Sequence, residues 1–139
     1  MVQILYKIND NLRNGIELSN HYENVVNNLD KALDKMDNYE GIVTRSVWIN
    51  SEDIDYFLKD YKENTVMYHK SFLSSTSGDI YNPEARVQMT IKSKTGKDIR
   101  KYNEKEQEIL FKRDVNFLVE KVDTSDDYYV KIYLKEVEK

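Results

Sequence analysis

The first part of the chain alternates apolar and polar residues with the period of a helix. Residues 20–36 place apolar side chains three or four positions apart, with Asn, Asp and Lys on the opposite face, and Ser19 precedes them as a predicted N-cap. A shorter segment, residues 3–14, has the same spacing and ends at Gly15. The apolar positions are Ile4, Leu5, Ile8, Leu12, Tyr22, Val25, Val26, Leu29, Leu33 and Met36. Two amphipathic helices are therefore predicted.

From Gly41 onward the pattern changes to short runs of β-branched and aromatic residues separated by turn-forming residues. A short helix that opens at Ser51 interrupts these runs. The predicted strands are residues 42–49, 66–69, 72–76, 87–92, 108–111, 115–119 and 128–134. The predicted loops and turns are residues 78–86, 94–98, 100–107 and 123–127. Helices followed by strands are typical of an α+β fold rather than of a doubly wound parallel sheet.

The composition narrows the class of protein. A chain of 139 residues is expected to form one domain, residues 1–139, and a hydrophobic fraction of 40% with 12% aromatic residues indicates an ordered one. The net charge is −4 and no basic stripe is present, so no nucleic-acid partner is expected. The chain has no cysteine, and His21 and His69 are far apart in sequence, so no metal site is predicted.

Targeting signals are not evident in the sequence. The N-terminus has no basic segment followed by a long apolar run, as a signal peptide would, and no apolar stretch is long enough to span a bilayer. We therefore expect a soluble chain without a membrane partner. Its expected location is the cytoplasm, or outside the cell after delivery or secretion as part of a larger protein.

Two polar features interrupt the predicted strands. Arg45 lies within an otherwise apolar strand, where a cation is costly unless it faces a cleft or an anion. The segment Ser75-Thr76-Ser77 follows Phe72 at a strand end, where hydroxyl groups can hold neighbouring polar groups in place. Each feature also has a commoner structural interpretation, namely an edge arginine lying on the surface and a capped turn.

A third feature is the acidic run that leads into the strand at residues 108–111. Glu106 and Glu108 are two positions apart, so both would lie on one side of an extended chain. Two carboxylates on one face repel each other unless a cationic substrate or a hydrogen-bonded site holds them. A solvated loop is the commoner interpretation of such a run, and the strand that begins at Glu108 argues against it.

The order of these three features resembles the Arg–Ser–Glu class of mono-ADP-ribosyltransferases. This class includes the clostridial actin-modifying binary toxins and related phage enzymes. Further similarity is found in residues 8–15, 29–33 and 91–99, so that the resemblance covers nearly the whole chain. It implies N-terminal helices packed on a two-sheet, mainly antiparallel β core around an NAD cleft.

The resemblance also implies roles for individual residues, with NAD as co-substrate and no metal. Arg45 would bind the NAD phosphates, and Ser75, Thr76 and Ser77 would form the nicotinamide pocket. Ser75 is expected to hydrogen-bond Glu108. Glu108 would hold the ribose 2′-hydroxyl and stabilise the positive charge that develops as nicotinamide leaves.

The expected partner is a protein acceptor with a target arginine. The resemblance implies that Glu106 positions this arginine and removes its proton, because family members with Glu at this position commonly modify arginine. The family often has an aromatic residue where this chain has Asn103, and the adjacent Tyr102 is therefore a candidate for acceptor contact. Tyr81 and Arg86 lie in the loop that covers the dinucleotide in the family, which makes them candidates for NAD contact.

Two other functions stay open at this point. The same site would act as an NAD glycohydrolase if water were the acceptor. Alternatively, the fold would serve as a catalytically inactive binding module. Many family members have additional helices before the one at residues 3–14, so the chain is either a compact member or a piece of a longer protein.

Overall fold

The computed structural model describes residues 2–138, with side chains from Lys7 onward. Its first element is helix α1, Val2–Arg13, in agreement with the predicted helix at the N-terminus. The predicted apolar positions Ile4 and Leu5 lie outside the described side chains. None of the helices within the described part of the chain has the length and apolar character that a membrane span requires.

Helix α2 spans Asn20–Asp34 and begins where the sequence predicts. The Ser19 side chain accepts a hydrogen bond from the backbone N–H of Tyr22, which satisfies one of the free donors at the helix start. After the first strand, one turn of 3-10 helix at Ser51–Asp53 leads into α3, Ile54–Leu58. The predicted helix that opens at Ser51 is therefore present.

Seven strands form one hydrogen-bonded sheet with the order β1-β3-β5-β4-β7-β6-β2. They are β1 (Asn38–Val47), β2 (Val66–His69), β3 (Leu73–Thr76), β4 (Val87–Asp98), β5 (Glu108–Phe111), β6 (Val115–Asp123) and β7 (Val130–Val137). Within residues 2–138, β4 and β7 are the one parallel pair, and the other pairings are antiparallel. The architecture is α+β with a mainly antiparallel sheet, as predicted.

Strands β3 and β5 are covered on both faces. Because β1 pairs with β4 as well as with β3, the strands β1, β3, β5 and β4 form a closed circuit. On one face, Leu73, Ile109 and Phe111 join the main apolar core with β4, β6 and β7. On the other face, Phe72 and Leu110 pack against α1 and α2. The β3–β5 pair is therefore the middle layer between the helices and the rest of the sheet.

Residues 94–98 do not form the predicted turn, because β4 continues through them to Asp98. The carboxylate of the buried Glu136 on β7 accepts hydrogen bonds from the backbone N–H groups of Lys94 and Thr95, at 2.8 Å each, and from the Thr95 hydroxyl. Gly96 allows a close approach, since a Cβ there would lie 2.7 Å from Cγ2 of Ile109. Packing, rather than a turn conformation, accounts for this glycine.

The helices are attached to the β3–β5 pair by polar contacts as well as by packing. Asn9 on α1 accepts a hydrogen bond through Oδ1 from the backbone N–H of Phe72, at 3.0 Å, at the start of β3. On α2, Asp30 receives two hydrogen bonds from Arg113, in the turn that follows β5. These contacts fix the helices relative to the strand that carries the hydroxyl residues.

We expect Glu136→Ala to lower the free energy of unfolding by about 3 kcal/mol, because it removes the charged acceptor of three hydrogen bonds from Lys94 and Thr95. Glu136→Gln keeps one acceptor oxygen and should cost less. The matched control is Glu120→Ala, which removes a partly exposed ion pair with Lys92 and should cost less than about 1 kcal/mol. Urea unfolding measures all three, and equal losses in the two alanine variants would contradict this role for Glu136.

Candidate active site

Arg45 lies on β1 between two adjoining cavities of about 230 and 770 Å³, which are called here the smaller and the larger cavity. Its Nη1 donates a hydrogen bond to the carbonyl oxygen of Ser74, at 2.9 Å, which ties the side chain to β3. Burial lowers the pKa of the guanidinium, Tyr61 opposes this effect, and Arg13 adds to it. None of the ion pairs among residues 2–138 includes Arg45, so its charge is available to an anionic ligand.

Ser74, rather than the expected Ser75, hydrogen-bonds Glu108. The Ser74 hydroxyl donates to Oε2 of Glu108 at 2.7 Å, whereas the buried Ser75 hydroxyl donates to the backbone carbonyl of Ile109 at 2.8 Å. The reason is strand alternation, which puts Ser75 on the same face as the buried Leu73 and Ser74 on the opposite face. The expected contact of Ser75 was wrong by one residue.

The sequence predicted that Glu106 and Glu108 lie on one extended segment, and this prediction is wrong. Glu108 begins β5, but Glu106 belongs to the preceding turn, and Gln107 between them has a positive φ of 46°. The Thr76 hydroxyl donates to the carbonyl oxygen of Glu106 at 2.7 Å, and both the backbone N–H and the hydroxyl of Ser77 donate to the carbonyl oxygen of Gln107. Side chains and backbone at the end of β3 therefore hold the turn.

Asn103 connects the two glutamates and was not among the predicted site residues. Its Nδ2 donates to Oε2 of Glu106 at 2.9 Å and to Oε1 of Glu108 at 3.0 Å. Glu108 is thus held at both oxygens, by Asn103 and by Ser74, and both donors are uncharged. The only hint in the sequence was an amide three residues before the first of two closely spaced carboxylates.

Of the remaining predicted site residues, only Tyr81 lines one of the cavities described here. Tyr81 lines the smaller cavity, and the neighbouring Glu106 carboxylate raises the pKa of its hydroxyl. Arg86 lies outside the lining of these cavities, and its guanidinium lies over the ring of Tyr128 at 4.5 Å, so its contact with NAD stays a prediction. Tyr102 is exposed on the loop that precedes Asn103 and also lies outside these cavities.

The predicted hydroxyl triplet divides between the cleft and the turn. Ser75 and Thr76 line the smaller cavity together with Ser74. The described hydrogen bonds of Ser77 go to Gln107 in the turn. Thr44, on the neighbouring strand β1, also lines the smaller cavity, and its hydroxyl oxygen is buried without a hydrogen-bond partner among the described residues. The wall of this cavity therefore contains one buried polar atom that has no partner among the described residues.

The larger cavity contains basic and aromatic groups that the sequence did not suggest. Arg13, at the end of α1, and Arg45 both line it, as does His69. Burial lowers the pKa of His69, and its Nδ1 lies 2.8 Å from the carbonyl oxygen of Ser71. Burial raises the pKa of Tyr61, another lining residue, to about 12. Residues 2–138 contain no cluster of acidic and histidine side chains suited to a metal ion.

No protein-family model and no curated protein sequence matches this chain, but solved structures with a similar fold do. The ADP-ribosyltransferase Vis in complex with agmatine superposes with a TM-score of 0.73 at 18% identity, over 99% of this chain and 70% of Vis. Exoenzyme S from Pseudomonas aeruginosa, bound to Carba-NAD and human 14-3-3 protein beta, gives a TM-score of 0.72 at 18% identity, over 95% and 66% of the two chains.

A third similar structure belongs to a longer protein. The type III effector XopAI from Xanthomonas axonopodis pv. citri matches 73% of this chain with a TM-score of 0.64 at 22% identity. The present chain spans 45% of the length of that structure. At these identities the similarity concerns the fold.

The two adjacent serines of β3 allow a direct test of the site geometry. We expect Ser75→Ala to lower the free energy of unfolding by about 1 kcal/mol, because its buried hydroxyl bonds the backbone of β5. Ser74→Ala should change it by less than about 0.5 kcal/mol, because the side chain is exposed. Urea unfolding of the two variants checks this. A larger loss for Ser74→Ala would contradict the assignment of Ser75 to the core face.

Proposed function

Because the chain has the fold of the ADP-ribosyltransferases, we propose that it cleaves NAD and transfers ADP-ribose to an arginine side chain of a protein. The observation that carries this proposal is the environment of Glu108. Its carboxylate is oriented at both oxygens by Ser74 and Asn103, and the carbonyl oxygen of Ser74 accepts a hydrogen bond from Arg45, which has no ion-pair partner among the described residues. A fixed negative charge next to an anion-binding group suits the cleavage of a glycosidic bond in a phosphorylated substrate.

The basic residues of the two cavities account for binding of the dinucleotide. Arg45 and Arg13 both face the larger cavity and would bind the diphosphate, since guanidinium groups match phosphate oxygens in geometry and charge. The smaller cavity, which Ser74, Ser75 and Thr76 line, would take the nicotinamide ring. One neighbour of similar fold, exoenzyme S, is bound to Carba-NAD, which supports a nicotinamide dinucleotide as the ligand.

Glu108 would stabilise the transition state of bond cleavage. The bond between the ribose C1′ and the nicotinamide nitrogen breaks, the electron pair leaves with nicotinamide, and positive charge develops on the ribose. The Glu108 carboxylate, held in place by hydrogen bonds that exist before the reaction, opposes this charge without further reorganisation. Ser74 and Asn103 act as positioning residues in this step.

Glu106 would select and activate the acceptor. It lies with Tyr81 between the smaller cavity and a third cavity of about 400 Å³, which Asp79 and Ile80 also line. A guanidinium entering through the third cavity would meet the Glu106 carboxylate, lose a proton to it, and form a bond from its nitrogen to C1′. In the neighbour Vis the bound ligand is agmatine, a guanidinium compound, which supports an arginine-like acceptor. Tyr102, exposed at the adjacent loop, is proposed to contact the acceptor protein.

The first test is transfer of labelled ADP-ribose from NAD to lysate proteins and to agmatine. We expect Glu108→Gln to lower nicotinamide release at least about 100-fold, because the neutral amide no longer opposes the ribose charge. The matched control, Glu104→Gln, changes the same charge in the same loop at an exposed side chain and should stay active. An inactive wild-type chain that binds NAD in calorimetry would leave only the binding-module alternative.

The second test concerns the acceptor. We expect Glu106→Gln to lower ADP-ribosyl-agmatine formation about 100-fold, because the acceptor loses its base, while nicotinamide release to water changes little. Chromatography of the reaction products separates ADP-ribosyl-agmatine from free ADP-ribose. If the wild type forms only free ADP-ribose in the presence of agmatine and lysate, the protein is an NAD glycohydrolase and the transfer proposal fails.

A further inference from the structure

We infer that Asn103 determines how ADP-ribose divides between the acceptor and water, by holding the carboxylates of Glu106 and Glu108 in one fixed arrangement. This inference rests on the proposed function, because it assigns the two glutamates to acceptor activation and to bond cleavage. Asn103 is a positioning residue in this scheme, since its described side-chain hydrogen bonds go to the two carboxylates. Its effect would therefore appear in the ratio of the two products.

The hydrogen-bond pattern fixes the orientation of the Asn103 side chain. Its amide faces Oε2 of Glu106 at 2.9 Å and Oε1 of Glu108 at 3.0 Å, and both of these atoms accept hydrogen bonds when ionised. Only the NH₂ group can satisfy two acceptors, so the amide nitrogen must point at the glutamates. Each of its two protons is thus directed at a different carboxylate.

Asn103 is itself placed by a short turn anchored on β4. Its backbone N–H donates to the carbonyl oxygens of Ile99 and Arg100, at 3.1 and 3.2 Å. The Arg100 side chain makes two hydrogen bonds to Asp98, at 2.9 and 2.7 Å, and lies over the ring of Tyr39. A segment with its own hydrogen bonds therefore presents the amide to the glutamates, and the amide contacts the Glu108 oxygen that Ser74 does not.

An uncharged bridge suits the proposed chemistry better than a cation would. A lysine or arginine between the two carboxylates would attract them more strongly, but it would also cancel the negative charge that must oppose the ribose cation. It would in addition repel an incoming guanidinium. The amide supplies one donor to each of Glu106 and Glu108 and adds no charge, so the site keeps its affinity for a cationic acceptor.

The two glutamates depend on Asn103 to different degrees. Without it, Glu108 keeps Ser74 as a donor and stays on β5, whereas the Glu106 carboxylate keeps none of the hydrogen bonds found for it among the described residues. Repulsion between the carboxylates would then displace Glu106, which belongs to a turn, more than Glu108. Bond cleavage needs Glu108 alone, whereas transfer needs the carboxylates of Glu106 and Glu108 in their fixed arrangement. Loss of Asn103 should therefore lower the rate of transfer more than the rate of cleavage.

The activity experiment measures nicotinamide release and ADP-ribosyl-agmatine formation with NAD and agmatine. We expect Asn103→Ala to lower transfer about 100-fold and release less than about tenfold, with the KM for NAD nearly unchanged, because the dinucleotide contacts are intact. Asn103→Asp has the same size but replaces a donor by a third carboxylate, and it should lose more transfer than the alanine variant. Asn28→Ala, on the exposed face of α2, is the control.

A merely structural role for Asn103 predicts the opposite order, with the isosteric aspartate milder than alanine and both products falling together. Either of these results in an active, folded variant overturns the inference while the proposed function stands. A wild-type chain that releases no nicotinamide overturns the proposed function. The inference about Asn103 is then overturned as well, because it rests on that function.

A measurement without turnover tests the bridge itself. In ¹⁵N-labelled protein, Glu108→Gln should shift one Hδ2 proton of Asn103 and Glu106→Gln should shift the other, since each proton is directed at one carboxylate. Both protons should also exchange slowly with solvent. If neither substitution moves the Asn103 amide resonances, the two glutamates are not bridged and the inference is wrong, whatever the activity.

Discussion

The two-sided hydrogen bonding of β3 is the constraint on which the rest of the site depends. Ser75 faces inward and bonds the backbone of β5, so that the strand pair stays in register between the helices and the main core. Ser74 faces outward to Glu108, and its carbonyl oxygen receives the Arg45 guanidinium. One short strand thus fixes a cation, a carboxylate and its own place in the core. A one-residue shift in register would undo all three.

Much of the architecture was predictable because it follows from local periodicity. The capped helix α2 and the alternating strands are examples in which burial on one face dictates the pattern. The turn predicted at residues 94–98 was wrong because its polar groups are satisfied by Glu136, a residue distant in sequence. Gly96 gave the same local signal as a turn glycine, although close packing against Ile109 is the reason for it.

The candidate site was predictable in its residue types and less so in its contacts. Arg45 and Glu106 line the smaller cavity, and Glu108 is hydrogen-bonded to Ser74, which also lines it. The consecutive hydroxyl residues, however, did not show which of them face outward from β3. Alternation from the buried Leu73 would have indicated Ser74 as the outward residue. The approach of the two glutamates depends on a positive φ at Gln107, which no spacing rule predicts for a non-glycine residue.

The uncharged hydrogen-bond network around Glu108 gives the two halves of the cleft different sensitivities to ionic strength. The dinucleotide would meet Arg13 and Arg45, charges that attract phosphates from a distance and are screened beyond about 8 Å at physiological salt. Glu108 is oriented by Ser74 and Asn103 through hydrogen bonds from neutral donors at 2.7 and 3.0 Å, which depend less on salt than an attraction between separated charges does. Under the proposed function, added salt would therefore weaken capture of the dinucleotide and leave the orientation of the Glu108 carboxylate nearly unchanged.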